Sequence, residues 1–158
     1  MADLEDVSVT SLQSFENQDE YRRYLKYRRY ANVVFPYAVE AIKIFRESEH
    51  VTNTMKKGKR KKHYKRLQKE LKKEFEEPLK KLTRTQGKIL TKMIEKELDK
   101  PFYELLKNLR GSFTASYWSS MGRIYGYRLR DGYIEGEDPV MDAVLHDFDV
   151  SYKGKVSN

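Results

Sequence analysis

From residue 21 to residue 45 the apolar side chains recur mostly at steps of three and four: Tyr21, Tyr24, Leu25, Ala31, Val34, Phe35, Ala38, Ile42 and Phe45. Residues so spaced share one face of an α-helix. The same step returns as Tyr64, Leu67, Leu71 and Phe75, and again as Ile89, Leu90, Met93, Ile94 and Leu98. It returns once more as Phe102, Leu105, Leu106, Leu109, Phe113, Tyr117, Met121 and Ile124. Amphipathic helices can hide such stripes only by packing them against one another. The expected fold is therefore all-α, a bundle of about five helices with irregular acidic ends.

Local punctuation divides the bundle. Pro36 falls inside the first pattern and predicts a kink or a break near residue 35, because proline lacks the amide donor and crowds the preceding turn. Residues 56–62 (KKGKRKK) read as a polybasic connector. Pro78 ends or restarts the helix after it. Thr83 and Gln86 have the spacing of a capping box, and Pro101 is placed to open the next helix. Asp131-Gly132 predicts a short hairpin near 127–136, and Asp138-Pro139 predicts a cap and first residue for a short final helix. The first 15 residues read as a flexible segment, residues 16–150 as a single helical domain, and 151–158 as a tail. With 158 residues and 39% hydrophobic content, one such domain can bury a sizeable core.

The long pattern after Pro101 also carries small residues at helical spacing. Gly111, Ala115, Ser119 and Gly122, beside Tyr117 and Trp118, form a stripe against which another helix can pack closely. These six residues are the expected packing or partner surface, since Trp and Tyr often anchor interfaces.

Charge is unevenly laid out. The net +8 conceals six acids and no base in residues 1–20, fourteen bases against four acids in 56–84, and seven acids with no base in 131–149. Lys56, Lys57, Lys59, Arg60, Lys61, Lys62, Lys65 and Arg66 form the densest run, which reads first as a solvated helix face and second as a polyanion-binding surface. In the first reading the acidic ends fold back and neutralise this face. Arg22, Arg23, Arg28 and Arg29, interleaved with Tyr21, Tyr24, Tyr27 and Tyr30, could stack on bases or could line the rim of the core.

Catalytic chemistry finds little to use. The chain has no cysteine, which removes thiol nucleophiles, disulfides and thiolate metal sites. Its three histidines, His50, His63 and His146, are not paired in sequence with a nucleophile and an orienting acid. Asp142 and His146, with the acids around them, are the only residues of metal-ligating type that cluster, and they lack calcium-loop spacing. No glycine-rich phosphate loop follows a strand. No enzyme activity, cofactor or metal is therefore expected. No apolar run approaches the ~20 residues of a membrane span, and no signal-peptide core follows Met1.

Three segments carry a resemblance: YRRYANVVFPYAVEA at residues 27–41, KKLTRTQGKILTKMIEKE at 80–97, and ELLKNLRGSF at 104–113. In this order they resemble a family of small, uncharacterised Bacteroidetes proteins classed as a domain of unknown function, over about residues 4–149. The family has no assigned activity, ligand or catalytic residues. Its members are often exported, with an "LxDVxV" segment after the signal that Leu4 to Val9 match. The resemblance thus implies a periplasmic protein if a signal peptide was removed, and a cytoplasmic one otherwise. The expected role is a non-enzymatic helical interaction or scaffold protein of the cell envelope, with an unidentified protein partner. The alternative is a cytoplasmic nucleic-acid-binding module that uses residues 56–66.

Overall fold

The computed structural model describes residues 15–109 and 131–150, in which five α-helices and no strand are formed. The all-α expectation holds. The helices are α1 (Gln18–Thr54), α2 (Lys57–Lys80), α3 (Arg84–Leu98), α4 (Phe102–Leu109) and α5 (Pro139–Asp147). The small-residue stripe at Gly111, Ala115, Tyr117, Trp118, Ser119 and Gly122 lies outside the described residues, as do residues 1–14 and 151–158.

α1 is the organising element. Its 37 residues span about 55 Å, and α2, α3, α4 and α5 all pack on it. Asn17 caps it, the side-chain oxygen accepting from the Glu20 amide at 2.9 Å, and Asp19 and Glu20 suit the positive end of the helix dipole. Its inward face carries Tyr24, Ala31, Val34, Ala38, Ala41, Ile42 and Phe45, all buried. The three alanines leave room for α3, its principal partner, whose Ile89, Leu90, Met93 and Ile94 join the same core. Leu25, expected in the stripe, is instead 40% exposed.

Of the kink or break expected near residue 35, the break does not occur: α1 continues through Pro36 as one helix. Pro36 and Asn32, whose carbonyl loses its usual amide partner, are both on the exposed side of the helix. Water can satisfy that carbonyl there, so the helix continues.

The connector expected at 56–62 is also corrected. Only Met55 and Lys56 separate α1 from α2, and the helix begins at Lys57 with Gly58 inside its first turn. Leu67, Leu71, Phe75 and Leu79 give α2 a buried stripe that holds it against α1, with Tyr37 edge-on to Phe75 at 5.9 Å. Pro78 sits in the last turn, and α2 ends at Lys80.

α3 starts on the capping box as expected. Thr83 Oγ1 accepts from the Gln86 amide at 3.2 Å, and Gln86 Oε1 accepts from the Thr83 amide at 2.9 Å. Thr83→Ala should lower the unfolding free energy by about 1 kcal/mol in urea titrations, with no change of slope. Pro101 stands directly before α4, its carbonyl accepting from Glu104 and Leu105.

Asp138 caps α5 through the Val140 and Met141 amides, with Pro139 as the first helical residue. The hairpin expected near 127–136 has no strand among its described residues; 131–137 form turns and loop. Gly132 adopts φ +73° within that loop and lies against the Pro101 ring, a position suited to glycine. At the other end of the described chain, Phe15 packs on Tyr24 at 5.0 Å.

Candidate functional site

The basic run becomes a helix end. All eight expected cations, Lys56 through Arg66, lie at the cap or in the first turns of α2, and all are exposed except Arg60, which is half-buried. Lys56 makes no side-chain cap bond, and the first turn holds no acid. Cations at this end oppose the helix dipole, by about 0.3–1 kcal/mol each at low salt. The helix persists because it is anchored elsewhere: the buried leucine stripe lies below, and the Tyr64 and Thr52 hydroxyls hydrogen-bond across to α1.

Opposite the buried stripe, Lys59, Lys62, Arg66, Lys69 and Lys73 succeed one another at steps of three and four, and every one is exposed. They form a row along the outer face of α2. No acid occurs in α2 before Glu70. Arg66 lies 4.0 Å from Glu70 and also meets the His63 ring at 3.1 Å, whereas Lys59, Lys62, Lys69 and Lys73 form no ion pair among the described residues. At the far end Lys80 is paired with Glu76 and Glu77, so the field weakens towards the C-terminus of α2.

The interleaved arginines and tyrosines of α1 are distributed differently. Tyr24 is fully buried and donates its hydroxyl to the buried Asp147 of α5. Arg23 covers the Tyr27 ring at 5.7 Å and Lys26 covers Tyr30 at 5.8 Å. Tyr24 thus belongs to the core, while Tyr27 and Tyr30 pack at its rim, each with a cation near one ring face.

An open groove of about 750 Å³ lies between α1, α3 and the 131–142 segment. Arg23, Arg84, Lys88 and Lys92 enter from one side, and Asp131, Glu137, Asp138 and Asp142 from the other. Most of these groups are already engaged. Arg23 is 2.9 Å from Asp138. Lys92 donates to the Gly132 carbonyl at 2.6 Å and lies 3.1 Å from Glu95 Oε1. Asp142 accepts from the Tyr133 hydroxyl at 2.5 Å and the Gly136 amide at 2.8 Å, so it fastens the loop to α5. Burial, with Asp142 beside it, raises the Tyr133 phenol well above its ordinary pKa and keeps it a donor. His146 is exposed and does not line the groove. Among the described residues no three His, Cys, Asp or Glu side chains are placed to hold a metal ion.

The family model described as "Domain of unknown function (DUF4294)" matches residues 1–147. The chain belongs to this family. Nothing matches it among curated proteins or among solved structures. No helix among the described residues of this DUF4294 domain is long and apolar enough to cross a membrane.

The sequence reading of the site located the basic cluster by local density and so stopped at Arg66. Lys69 and Lys73 belong to the same face of the DUF4294 domain, and the three-and-four step already marks them once α2 is known to be helical from Lys57. The groove of this domain was not foreseen, because it joins residues separated by more than a hundred positions, such as Arg23 and Asp138.

Proposed function

We propose that this DUF4294 protein is a non-enzymatic interaction module that holds a polyanion against the exposed face of α2. The observation that carries the reading is the row of exposed cations, of which among the described residues only Arg66 is ion-paired, on a helix whose apolar side is already committed to α1. A face that only kept the protein soluble would do so with both signs interspersed, as in the second half of α2. In the first half only one sign is present, at the helix end where its own dipole is unfavourable. An arriving polyanion relieves that repulsion and releases its counterions. The protein-contact surface expected around Trp118 lies outside the described residues and does not bear on this choice.

Fluorescence anisotropy with labelled heparin, a generic polyanion, tests the proposal. Binding should be readily measured near 50 mM salt and fall by roughly a hundredfold or more towards 200 mM, as expected when several cations are neutralised together. Absence of binding at the lower salt, or binding indifferent to salt, overturns it.

A further inference from the structure

We infer that the polyanion is a nucleic-acid duplex, gripped through its phosphates by the row Lys59, Lys62, Arg66, Lys69 and Lys73; this rests on the polyanion reading above. From Lys59 to Lys73 a helix advances about 21 Å, a cation at nearly every turn. Duplex DNA presents about one charge per 1.7 Å of axis, so the row faces roughly six base pairs of a stiff, highly charged rod. α2 is continuous over that whole length, so the row can lie along such a rod.

Single strands are the poorer match. Proteins that hold them add stacking on open aromatic faces, about 1–3 kcal/mol per base. Along α1 and α2, Tyr24 is buried, and Tyr27, Tyr30 and Tyr64 are partly buried against the core, Tyr27 and Tyr30 each with a cation near one ring face. Anionic membrane is poorer too. Interfacial helices bury an apolar face among the lipids, whereas Leu67, Leu71, Phe75 and Leu79 of α2 are already inside the protein. The four lysines and one arginine of the row are assigned to phosphates, which carry no sequence information, so binding should ignore sequence.

The test compares four labelled probes under the same low salt: a duplex of about 20 base pairs, one of its strands alone, phosphatidylcholine–phosphatidylserine vesicles, and heparin. The expected result is duplex bound at least tenfold more tightly than the single strand, in the same way for two unrelated sequences. The variant K69Q/K73Q, changed only at exposed positions, should lower the salt slope for duplex by about two. Heparin binding without duplex binding overturns this inference and spares the polyanion reading; failure of heparin and duplex together overturns both. Equal affinity for the single strand, preference for vesicles, or an unchanged slope in K69Q/K73Q also overturns it.

Discussion

Glu95→Ala should lower the unfolding free energy by about 3–5 kcal/mol, the range found when one member of a buried charge pair is removed. Glu95 is fully buried on α3, with Oε2 accepting from the Phe102 amide at 2.9 Å and Oε1 at 3.1 Å from the Lys92 ammonium. Alanine takes the carboxylate acceptor from the amide that opens α4 and the carboxylate partner from Lys92, which keeps its bond to the Gly132 carbonyl. The double variant Lys92→Met/Glu95→Gln should recover part of the loss, because the stranded cation is gone and glutamine still offers an oxygen to Phe102. Urea denaturation of the three proteins measures this. A loss below about 1 kcal/mol for Glu95→Ala would show the pair to be idle.

The same residue sets a pH dependence. Burial raises the Glu95 carboxyl above its ordinary 4.5, outweighing the Phe102 amide and Lys92, which pull it down. A raised folded-state pKa means that the folded chain keeps this proton at pH values where the unfolded chain has released it. Glu95's contribution is therefore full below pH 4.5 and declines as pH rises through the folded value. Glu95→Gln cannot titrate, so the stability of wild type minus that of Glu95→Gln should decrease on going from acid to neutral pH. A difference that grows over that interval would contradict the assignment.

The second large effect concerns α2. Reversing three members of its outer row, as Lys62→Glu/Arg66→Glu/Lys69→Glu, should weaken heparin binding by roughly a hundredfold or more and lower the salt slope by at least three. The fold should survive. All three side chains are exposed, so their reversal removes no buried contact, and only the exposed Arg66–Glu70 pair is lost. Circular dichroism should thus show helix content close to that of the wild type and a cooperative melting transition. Binding that persists at wild-type strength would place the polyanion elsewhere, for example on the cations of α1.

What could be read from the sequence was what depends on neighbours along the chain. The Thr83–Gln86 cap and the Asp138-Pro139 start are local devices and form as their residues imply. The buried stripes of α1, α2 and α3 follow from periodicity alone. Residues 56–62 misled because glycine and like charges disfavour helix locally, whereas Leu67, Leu71 and Tyr64, further along, anchor the element from its buried side. Pro36 misled because its effect depends on whether it faces core or water, which a chain position does not state. Asp142 is of metal-ligating type, yet no metal is expected there and its role stays open in the sequence. Its partners, Tyr133 and Gly136, lie on a loop whose path only the tertiary structure reveals.

The reach of α1 also bears on synthesis. This helix leaves the ribosome before the elements that cover it, and its last described partner, α5, is completed about 93 residues after α1 ends. At translation speeds of about 5–20 residues per second, that delay is roughly 5–20 s. Through that interval Val34, Ile42 and Phe45 have no finished core to enter, so the nascent chain presents a greasy ridge that chaperones can hold and that crowding can make stick.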